Sequence, residues 1–147
     1  MDFIEQSFKQ KWKVKDWGPL ESYLGMRISY ENGVMSLDAE NKINEFFSKH
    51  SDSLGKLGSS NVPYVDAQVK AARAQQDKDL SAFDQLLADQ FASFVGSLIY
   101  ISITARPDIV YAVNQMAKGM HKPLRHHVVT LKQTLRYLNS HRTLKLM

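Results

Sequence analysis

The feature that most constrains the fold of this chain is a run of apolar-periodic segments ending at Leu138 and joined by short junctions that contain proline. Helical spacing of apolar residues from Phe83 to Thr104 predicts one long helix. Pro107 follows at a place where its missing N–H fits the first turn of a new helix. Pro123 marks another start, so the pattern predicts three helices joined by tight turns. The apolar stripes are Leu87, Phe91, Phe94, Val95, Leu98 and Ile99, then Ile109, Val113, Met116 and Met120, then Val128, Leu131, Leu135 and Leu138.

The N-terminal half predicts a β-hairpin. Apolar, β-favouring residues run from Tyr23 to Tyr30 and again from Val34 to Leu37. Asn32-Gly33 separates the two runs, and both residues accept the positive φ that a two-residue hairpin turn requires.

Helices are expected on both sides of this hairpin. Residues 2–14 resemble the end of an amphipathic helix, and the segment around Gly18-Pro19 breaks it. Ser36 or Asp38 is expected to cap a helix that begins near Ala39. Residues 51–63 are rich in Ser and Gly and predict a loop, whereas residues 64–83 are polar with one short helix.

The chain therefore predicts an α+β fold that is mostly helical. A small N-terminal β-hairpin with flanking helices is packed on, or linked to, a C-terminal three-helix lobe. Residues 1–63 form the hairpin segment, residues 64–83 a polar linker and residues 84–147 the helical lobe.

Composition excludes several classes of protein. With 147 residues, 44% of them apolar, the chain can bury a core as one domain or two small lobes. It has no cysteine, which excludes disulfides, thiolate zinc sites and cysteine nucleophiles. The longest apolar run, Phe94 to Ile103, is too short to cross a bilayer. With no signal peptide in its first residues, the chain is expected to be intracellular, cytoplasmic or nuclear, without a membrane partner.

Charge is divided unevenly along the chain. Residues 1–105 carry 11 basic and 14 acidic residues, whereas residues 106–147 carry 8 basic residues and one acid, Asp108. A solvated helical face is one explanation, and a polyanion partner is the other. Histidines 121, 126, 127 and 141 lie in the same tract, so binding to nucleic acid is expected to strengthen as pH falls.

Several spaced motifs resemble the reverse transcriptase of copia-type retrotransposons, in the segment that follows the catalytic Y-x-D-D. The C-terminal half matches V-G-S-L-x-Y, T-x-R-P-D-I-x-Y-A-V, P-x-x-x-H and L-R-Y-L at Val95 to Tyr100, Thr104 to Val113, Pro123 with His127, and Leu135 to Leu138. The N-terminal half matches at Phe8, Lys15 to Leu20, Tyr23 to Gly25 and Asn41 to Ile43, and Pro63 stands where a proline is usual. Residues 51–90 match poorly, Trp17 replaces the usual leucine, and Asn139-Ser140-His141 replaces K-G-T.

The resemblance implies a noncatalytic part of an RNA-directed DNA polymerase. Polymerase chemistry needs carboxylates that hold two metal ions, and the sequence contains no adjacent aspartate pair. Ribonuclease H carboxylates, expected further along such a polyprotein, are not present either. The chain alone is therefore expected to be no enzyme and to need no cofactor.

Candidate nucleic-acid-binding residues follow from the same resemblance. The region of Leu24, Gly25 and Met26 resembles a primer grip, and the helix from Phe83 to Thr104 resembles a thumb helix lying along the minor groove of the template–primer. Small residues repeat every four positions on that helix and leave a shallow strip, although small residues also favour helix-on-helix packing. The strip contains Ala88, Ala92, Gly96 and Tyr100, and the basic residues expected to contact phosphates are Lys118, Lys122, Arg125, Lys132 and Arg136.

Other polar residues have alternative interpretations. Arg106 either contacts nucleic acid or pairs with Asp108 or caps a helix. Tyr111, Tyr137 and His127 are interpreted as packing or hydrogen-bonding residues rather than contacts. His121, His126 and His127 lack a nearby acid or thiolate, so no specific metal site is expected. There is no G-x-S-x-G elbow and no P-loop.

Three hypotheses remain for function. The first is a noncatalytic polymerase segment that retains a template–primer surface and binds an RNA–DNA hybrid or another nucleic acid. The second is a domesticated segment that serves as a protein-interaction or structural module, in an assembly or as an effector. The third is a piece cut from an intact polymerase.

Overall fold

The computed structural model describes residues 2–15, 18–54, 57–76 and 79–147. Parts of the predicted chain break at Asp16-Trp17, of the loop at residues 55 and 56, and of the linker at residues 77 and 78 lie outside the described residues. The elements in chain order are α1 (Asp2–Lys11), β1 (Ser22–Tyr23), β2 (Met26–Glu31), β3 (Val34–Asp38), α2 (Glu40–Lys49), α3 (Ser51–Leu54), α4 (Asp66–Ala74), α5 (Ala82–Asp89), α6 (Phe91–Thr104), a 3₁₀ turn (Pro107–Ile109), α7 (Val110–Ala117), α8 (Arg125–Ser140) and β4 (Lys145–Leu146). The predicted fold class, α+β and mostly helical, is confirmed.

The strands form a four-stranded antiparallel sheet in the order β1-β2-β3-β4. The predicted hairpin is confirmed, because Glu31 pairs with Val34 across a turn in which Asn32 and Gly33 have φ of 51° and 78°. The sequence did not predict the edge strands. On the far edge Leu37 pairs with Leu146, so the C-terminal strand closes onto the N-terminal hairpin.

The prediction that Ser36 or Asp38 caps α2 is wrong, because the N-cap residue is Ala39 and no side chain makes a capping hydrogen bond. Asp38 lies one residue earlier, where its Oδ1 accepts a hydrogen bond from the backbone N–H of Glu40 at 3.2 Å. Ser36 instead pairs with Ser29, with 2.6 Å between their hydroxyl oxygens across the β2–β3 ladder. The predicted apolar stripe of this helix is confirmed, since Ile43, Phe46 and Phe47 are buried.

One hydrophobic core joins the hairpin segment to the C-terminal helices. The ring of Phe46 on α2 lies 5.8 Å from that of Phe94 on α6, and Met26, Leu98 and Leu135 belong to the same buried cluster. The division at residues 64–83 stays a prediction. That segment contains the predicted short helix α4, whose Val69 and Ala72 are buried.

The single long helix predicted from Phe83 to Thr104 is wrong. α5 and α6 meet at Gln90 with a bend of 66°. Ser81 caps α5 by accepting a hydrogen bond from Asp84 N–H. Leu87 and Phe91 lie on either side of the bend and are both buried. A straight helix would present a single apolar stripe along one side. The bend instead directs the apolar residues of both α5 and α6 toward the core.

The remaining junctions follow the prediction. Pro107 is the first residue of the 3₁₀ turn that leads into α7, and α8 begins two residues after Pro123. The stripes of α7 and α8 are buried. Part of the predicted loop at residues 51–63 is the short helix α3.

The apolar residues at the N-terminus are exposed to solvent. α1 presents Phe3, Ile4 and Phe8, and Trp12 follows directly after the helix; all four are 58–83% exposed. Within the described residues, no single helix has the length and apolar character to cross a bilayer, and the bent pair of α5 and α6 meets those criteria only when its two helices are taken together.

Candidate nucleic-acid interface

The segment resembling a primer grip forms a tight turn between β1 and β2. Tyr23 pairs with Met26, and the two turn residues, Leu24 and Gly25, have φ of 50° and 77°. A leucine with positive φ is uncommon and strained by about 1 kcal/mol. Leu24 is nevertheless 60% exposed, whereas Met26 is buried at 8%. The turn therefore presents a leucine outward at the cost of strain, while Met26 anchors it to the core.

Gly25 has a second constraint besides its backbone conformation. A Cβ added there would overlap the end of the Lys42 side chain, which crosses the turn from α2. Lys42 donates a hydrogen bond to Glu45 at 2.8 Å. That hydrogen bond, followed by the charge of Glu45, raises the pKa of Lys42. The cation is thus held beside the turn by its neighbour on α2.

The predicted small-residue strip is divided by the bend. Ala88 lies on α5 and is partly buried against the core, whereas Ala92, Gly96 and Tyr100 lie on α6 and form what we call the α6 strip. Ala92 and Gly96 are exposed, and a Cβ at Gly96 would have no neighbour within 4 Å. Tyr100, at the end of the strip, donates a hydrogen bond from its hydroxyl to the backbone carbonyl of Leu24. The structure therefore brings the primer-grip-like turn and the α6 strip together at this one contact.

A hollow of about 290 Å³ lies where α2 meets α6, and it is lined by Lys42, Glu45, Phe46, Lys49, His50, Ser97, Tyr100 and Ile101. Lys42 and Lys49 are basic residues that the sequence interpretation did not select. Lys42 had a signal, because Asn41 to Ile43 matches the family pattern. Lys49 had none, since its proximity to Tyr100 depends on how α2 packs.

The basic residues chosen from sequence lie on a different part of the molecule. Arg125, Lys132 and Arg136 share one face of α8, because seven and eleven residues are close to whole helical turns. Lys132 forms a salt bridge of 2.7 Å with Asp84, and Arg125 donates to the Asp79 carbonyl at 2.5 Å. Two of the three are thus already engaged by the segment around α5.

The other two basic residues are more accessible. Lys118 and Lys122 are exposed, and Lys118 donates to the side-chain amide of Gln115 at 3.1 Å. No hydrogen bond or ion pair between described residues connects the five basic residues to the Leu24–Tyr100 contact. The candidate residues therefore form two groups rather than one surface patch.

Arg106 pairs with Asp108, which is one of the alternatives to nucleic-acid contact that the sequence left open. It is 1% exposed and makes a bidentate contact with Asp108, through Nε to Oδ1 at 2.9 Å and Nη2 to Oδ2 at 2.7 Å. Nη1 donates to the His141 carbonyl at 2.7 Å, and the Tyr137 hydroxyl donates to Asp108 at 2.7 Å. We call Arg106, Asp108, Tyr137 and His141 the α7–α8 network.

This network also shifts the pKa of its acid. Burial raises the pKa of the Asp108 carboxyl, but hydrogen bonds from Arg106 and Tyr137 and the charge of Arg106 together hold it below its ordinary value. Tyr137 stacks on His141 with ring centroids 4.6 Å apart. The motif around residues 106–108 is thus hydrogen-bonded to the motif around residues 135–138, through Asp108 and Tyr137.

The histidines at the start of α8 do not titrate as ordinary histidines. Burial, followed by the charges of His126 and Arg73, lowers the pKa of His127 to about 4. Nδ1 of His127 accepts a hydrogen bond from the Leu124 backbone N–H at 3.0 Å. Burial also lowers the pKa of His126. His127 therefore adds little charge in mildly acidic solution, so it gives no support to the predicted strengthening of binding as pH falls.

Tyr111 makes a packing contact. It is 59% exposed, and its ring meets that of Tyr64 edge-on at 5.0 Å. Across the described residues, no group of three His, Cys, Asp or Glu side chains is arranged to hold a metal ion.

Comparison with known proteins finds relatives among transposon proteins. The chain is 25% identical over 145 residues to a putative transposon Ty5-1 protein of Saccharomyces cerevisiae, covering 97% of the chain and 44% of that protein. It is 31% identical over 129 residues to an uncharacterized mitochondrial protein of Arabidopsis thaliana, covering 86% and 48%. It is 25% identical over 137 residues to the retrovirus-related Pol polyprotein from transposon TNT 1-94 of Nicotiana tabacum, covering 92% and 10%.

The chain thus spans less than half the length of each of these relatives. No protein-family model matches the chain. No solved structure matches it either. The transposon relatives, which align over nearly the whole chain, support a retrotransposon origin for this sequence.

Proposed function

We propose that this chain is a noncatalytic segment of a copia-type reverse transcriptase that retains a template–primer binding surface. The observation that carries the proposal is the hydrogen bond from Tyr100 to the Leu24 carbonyl. It joins the turn that resembles a primer grip to the helix that resembles a thumb helix. The two segments are 76 residues apart in sequence, so only the fold makes them neighbours.

The chemistry of this surface suits a nucleic-acid backbone. Exposed Ala92 and Gly96 allow a strand to approach the α6 backbone closely, while Lys42 and Lys49 lie beside the end of the strip. Lysines that contact phosphates give affinity that is independent of sequence and decreases as salt increases. Tyr100 and Leu24 can contact sugars or base edges without specifying a sequence.

The noncatalytic part of the proposal rests on the residues. Phosphoryl transfer by a polymerase uses carboxylates to hold two metal ions. The sequence has no adjacent aspartate pair, and the acids beside Leu24 and Tyr100 are few. Glu45 is among them, and it is engaged by Lys42.

A salt titration of hybrid binding tests the proposal. Fluorescence anisotropy with a labelled RNA–DNA hybrid should show that the logarithm of the affinity falls linearly with the logarithm of salt concentration. Neutralising Lys42 and Lys49 together should reduce both affinity and slope. Neutralising Lys118, Lys122, Arg125, Lys132 and Arg136 tests the group selected from sequence. The proposal is excluded if hybrid affinity is undetectable at low salt. It is also excluded if hybrid affinity is unchanged both in the variant that lacks Lys42 and Lys49 and in the variant that lacks the five basic residues selected from sequence.

A second candidate function, a protein-interaction module, is favoured by α1. Ile4, Phe8 and Trp12 recur every four residues and form an exposed apolar row along α1 and the residue that follows it. Such a row fits the mode in which an amphipathic helix enters the apolar groove of a partner protein. Phe8→Ser with Trp12→Ser should abolish stoichiometric pull-down of that partner and leave hybrid binding unchanged. Loss of hybrid binding in this variant would favour the first candidate.

A further inference from the structure

A small basic cavity lies apart from the Leu24–Tyr100 contact, between α4, α7 and the start of α8. It has a volume of about 100 Å³ and is lined by Tyr64, Val69, Arg73, Gln115, Lys118, His126, His127 and Thr130. Lining residues come from three helices and the segment before α4. The cavity is therefore a product of tertiary packing, and no sequence motif marks it.

The polar groups around the cavity are almost all cations or hydrogen-bond donors. Arg73 forms no salt bridge with any described acid, and Lys118 has only the neutral amide of Gln115 as its acceptor. The acid on α4, Asp66, is engaged by Lys70 at 2.6 Å. None of the lining residues is acidic. Positive charge at this cavity is therefore without a counter-charge within the part of the chain that the structure describes.

One buried atom of the lining also lacks a partner. Nδ1 of His126 is buried without a hydrogen-bond partner among the described residues. A buried polar atom left unpaired is unfavourable unless a bound group satisfies it. Neighbouring His127 is different, because its Nδ1 already accepts from Leu124. His126 therefore lines the cavity and also has one buried ring nitrogen without a partner among the described residues.

We propose that this cavity binds a tetrahedral phosphate group. A phosphate offers oxygen acceptors to the guanidinium of Arg73, the ammonium of Lys118 and an N–H on the His126 ring. The cavity's size suits one such group and is too small for a nucleoside. The positive end of the α8 dipole adds to the same field. Phosphate can come from solution or from a nucleic-acid backbone, and the chemistry of recognition is the same.

The test uses inorganic phosphate as the probe and follows side-chain NMR signals of arginine and histidine. At constant ionic strength, phosphate should produce saturable shifts at Arg73 and His126, whereas chloride should not. Arg73→Met, and independently Lys118→Met, should weaken phosphate binding about tenfold, because each removes a charge-assisted contact. Lys70→Met is the matched control, since Lys70 lies on the same helix, is paired with Asp66 and does not line the cavity. Its phosphate affinity should equal that of the wild type.

A second arm distinguishes the source of the phosphate. If the site takes a backbone phosphate, Arg73→Met weakens RNA–DNA hybrid binding and free phosphate competes with the hybrid. If it takes free phosphate, hybrid affinity is unchanged while phosphate binding is lost. Both results support the site. No saturable phosphate shift, or an equal loss in Lys70→Met, overturns it regardless of whether the hybrid binds.

Discussion

The α7–α8 network and the Leu24–Tyr100 contact both contain residues of the motifs that carry the family resemblance, yet they differ in how far they are exposed. In the network, Arg106 is 1% exposed and its guanidinium donates hydrogen bonds to Asp108 and to the His141 carbonyl. At the contact, Leu24 is 60% exposed and Gly96 faces open space. One region satisfies its groups internally, whereas the other leaves a surface.

This difference shows that residues of a family motif can have either a folding role or a surface role. The T-x-R-P-D and L-R-Y-L residues fix the junction of α6 and α7 against the end of α8, which is a folding role. The Leu24-Gly25 turn holds a strained leucine outward, where it contributes nothing to the core. Strain that persists at an exposed residue is typical of functional sites. The resemblance alone does not distinguish these roles, but burial and hydrogen bonding do.

The largest expected effect comes from breaking the network. Arg106→Met should lower the free energy of unfolding by about 3 kcal/mol, because it leaves Asp108 and the His141 carbonyl without their buried partner. Chemical denaturation measures it. Arg73→Met is the matched control, since Arg73 is exposed and has no salt bridge with a described residue, and its stability should change by less than about 0.5 kcal/mol. Equal losses of unfolding free energy in the two variants would show that the network contributes no more to stability than an exposed arginine does.

The next effect depends on pH and on His127. Its pKa is about 4 in the folded chain and about 6.5 when unfolded. The unfolded state therefore binds more protons between these values, so stability is present above the ordinary pKa and is lost as pH falls. From pH 7 to 5 the loss should be about 2 kcal/mol, to which His126 adds with the same sign.

His127→Gln separates this contribution from general acid sensitivity. The glutamine carbonyl can still accept from the Leu124 N–H but does not titrate, so the loss between pH 7 and 5 should be smaller than in the wild type. Asp108 contributes only at lower pH, because its pKa is below its ordinary value. An identical pH profile in His127→Gln would contradict the assignment.

A paired glycine comparison probes the Leu24-Gly25 turn. Gly25→Ala and Gly33→Ala both place a Cβ at positive φ, at 77° and 78°, and should each cost about 1 kcal/mol. Only Gly25 has Lys42 against it. The difference in unfolding free energy between the variants therefore measures what displacing Lys42 costs, and we expect a few tenths of a kcal/mol because the end of a lysine is flexible. A larger loss in Gly33→Ala would contradict the close approach.

Local patterns predicted the elements better than they predicted their assembly. The Asn32-Gly33 turn, the stripe of α2, Pro107 and the stripe of α8 each depend on residues near in sequence, and each is confirmed. The bend at Gln90 was missed because no proline or glycine marks it. Strand β4 was missed since two residues carry no periodicity. Long-range packing of α4, α7 and α8 creates the Arg73 cavity, which no local pattern could reveal.

A last set of variants, with no expected cost to stability, tests whether the α6 strip is a surface or only a helix face. Gly96→Ala should stabilise the fold by about 0.5–1 kcal/mol, because glycine is a poor helix former and the added methyl group meets nothing. Gly96→Leu should keep a similar stability but fill the strip, so hybrid affinity should fall if a strand lies there. Asn114→Leu, at an exposed site on α7, is the control for added apolar surface. If Gly96→Leu binds the hybrid as tightly as the wild type, close approach at the strip is excluded, and binding must depend on the lysines beside it.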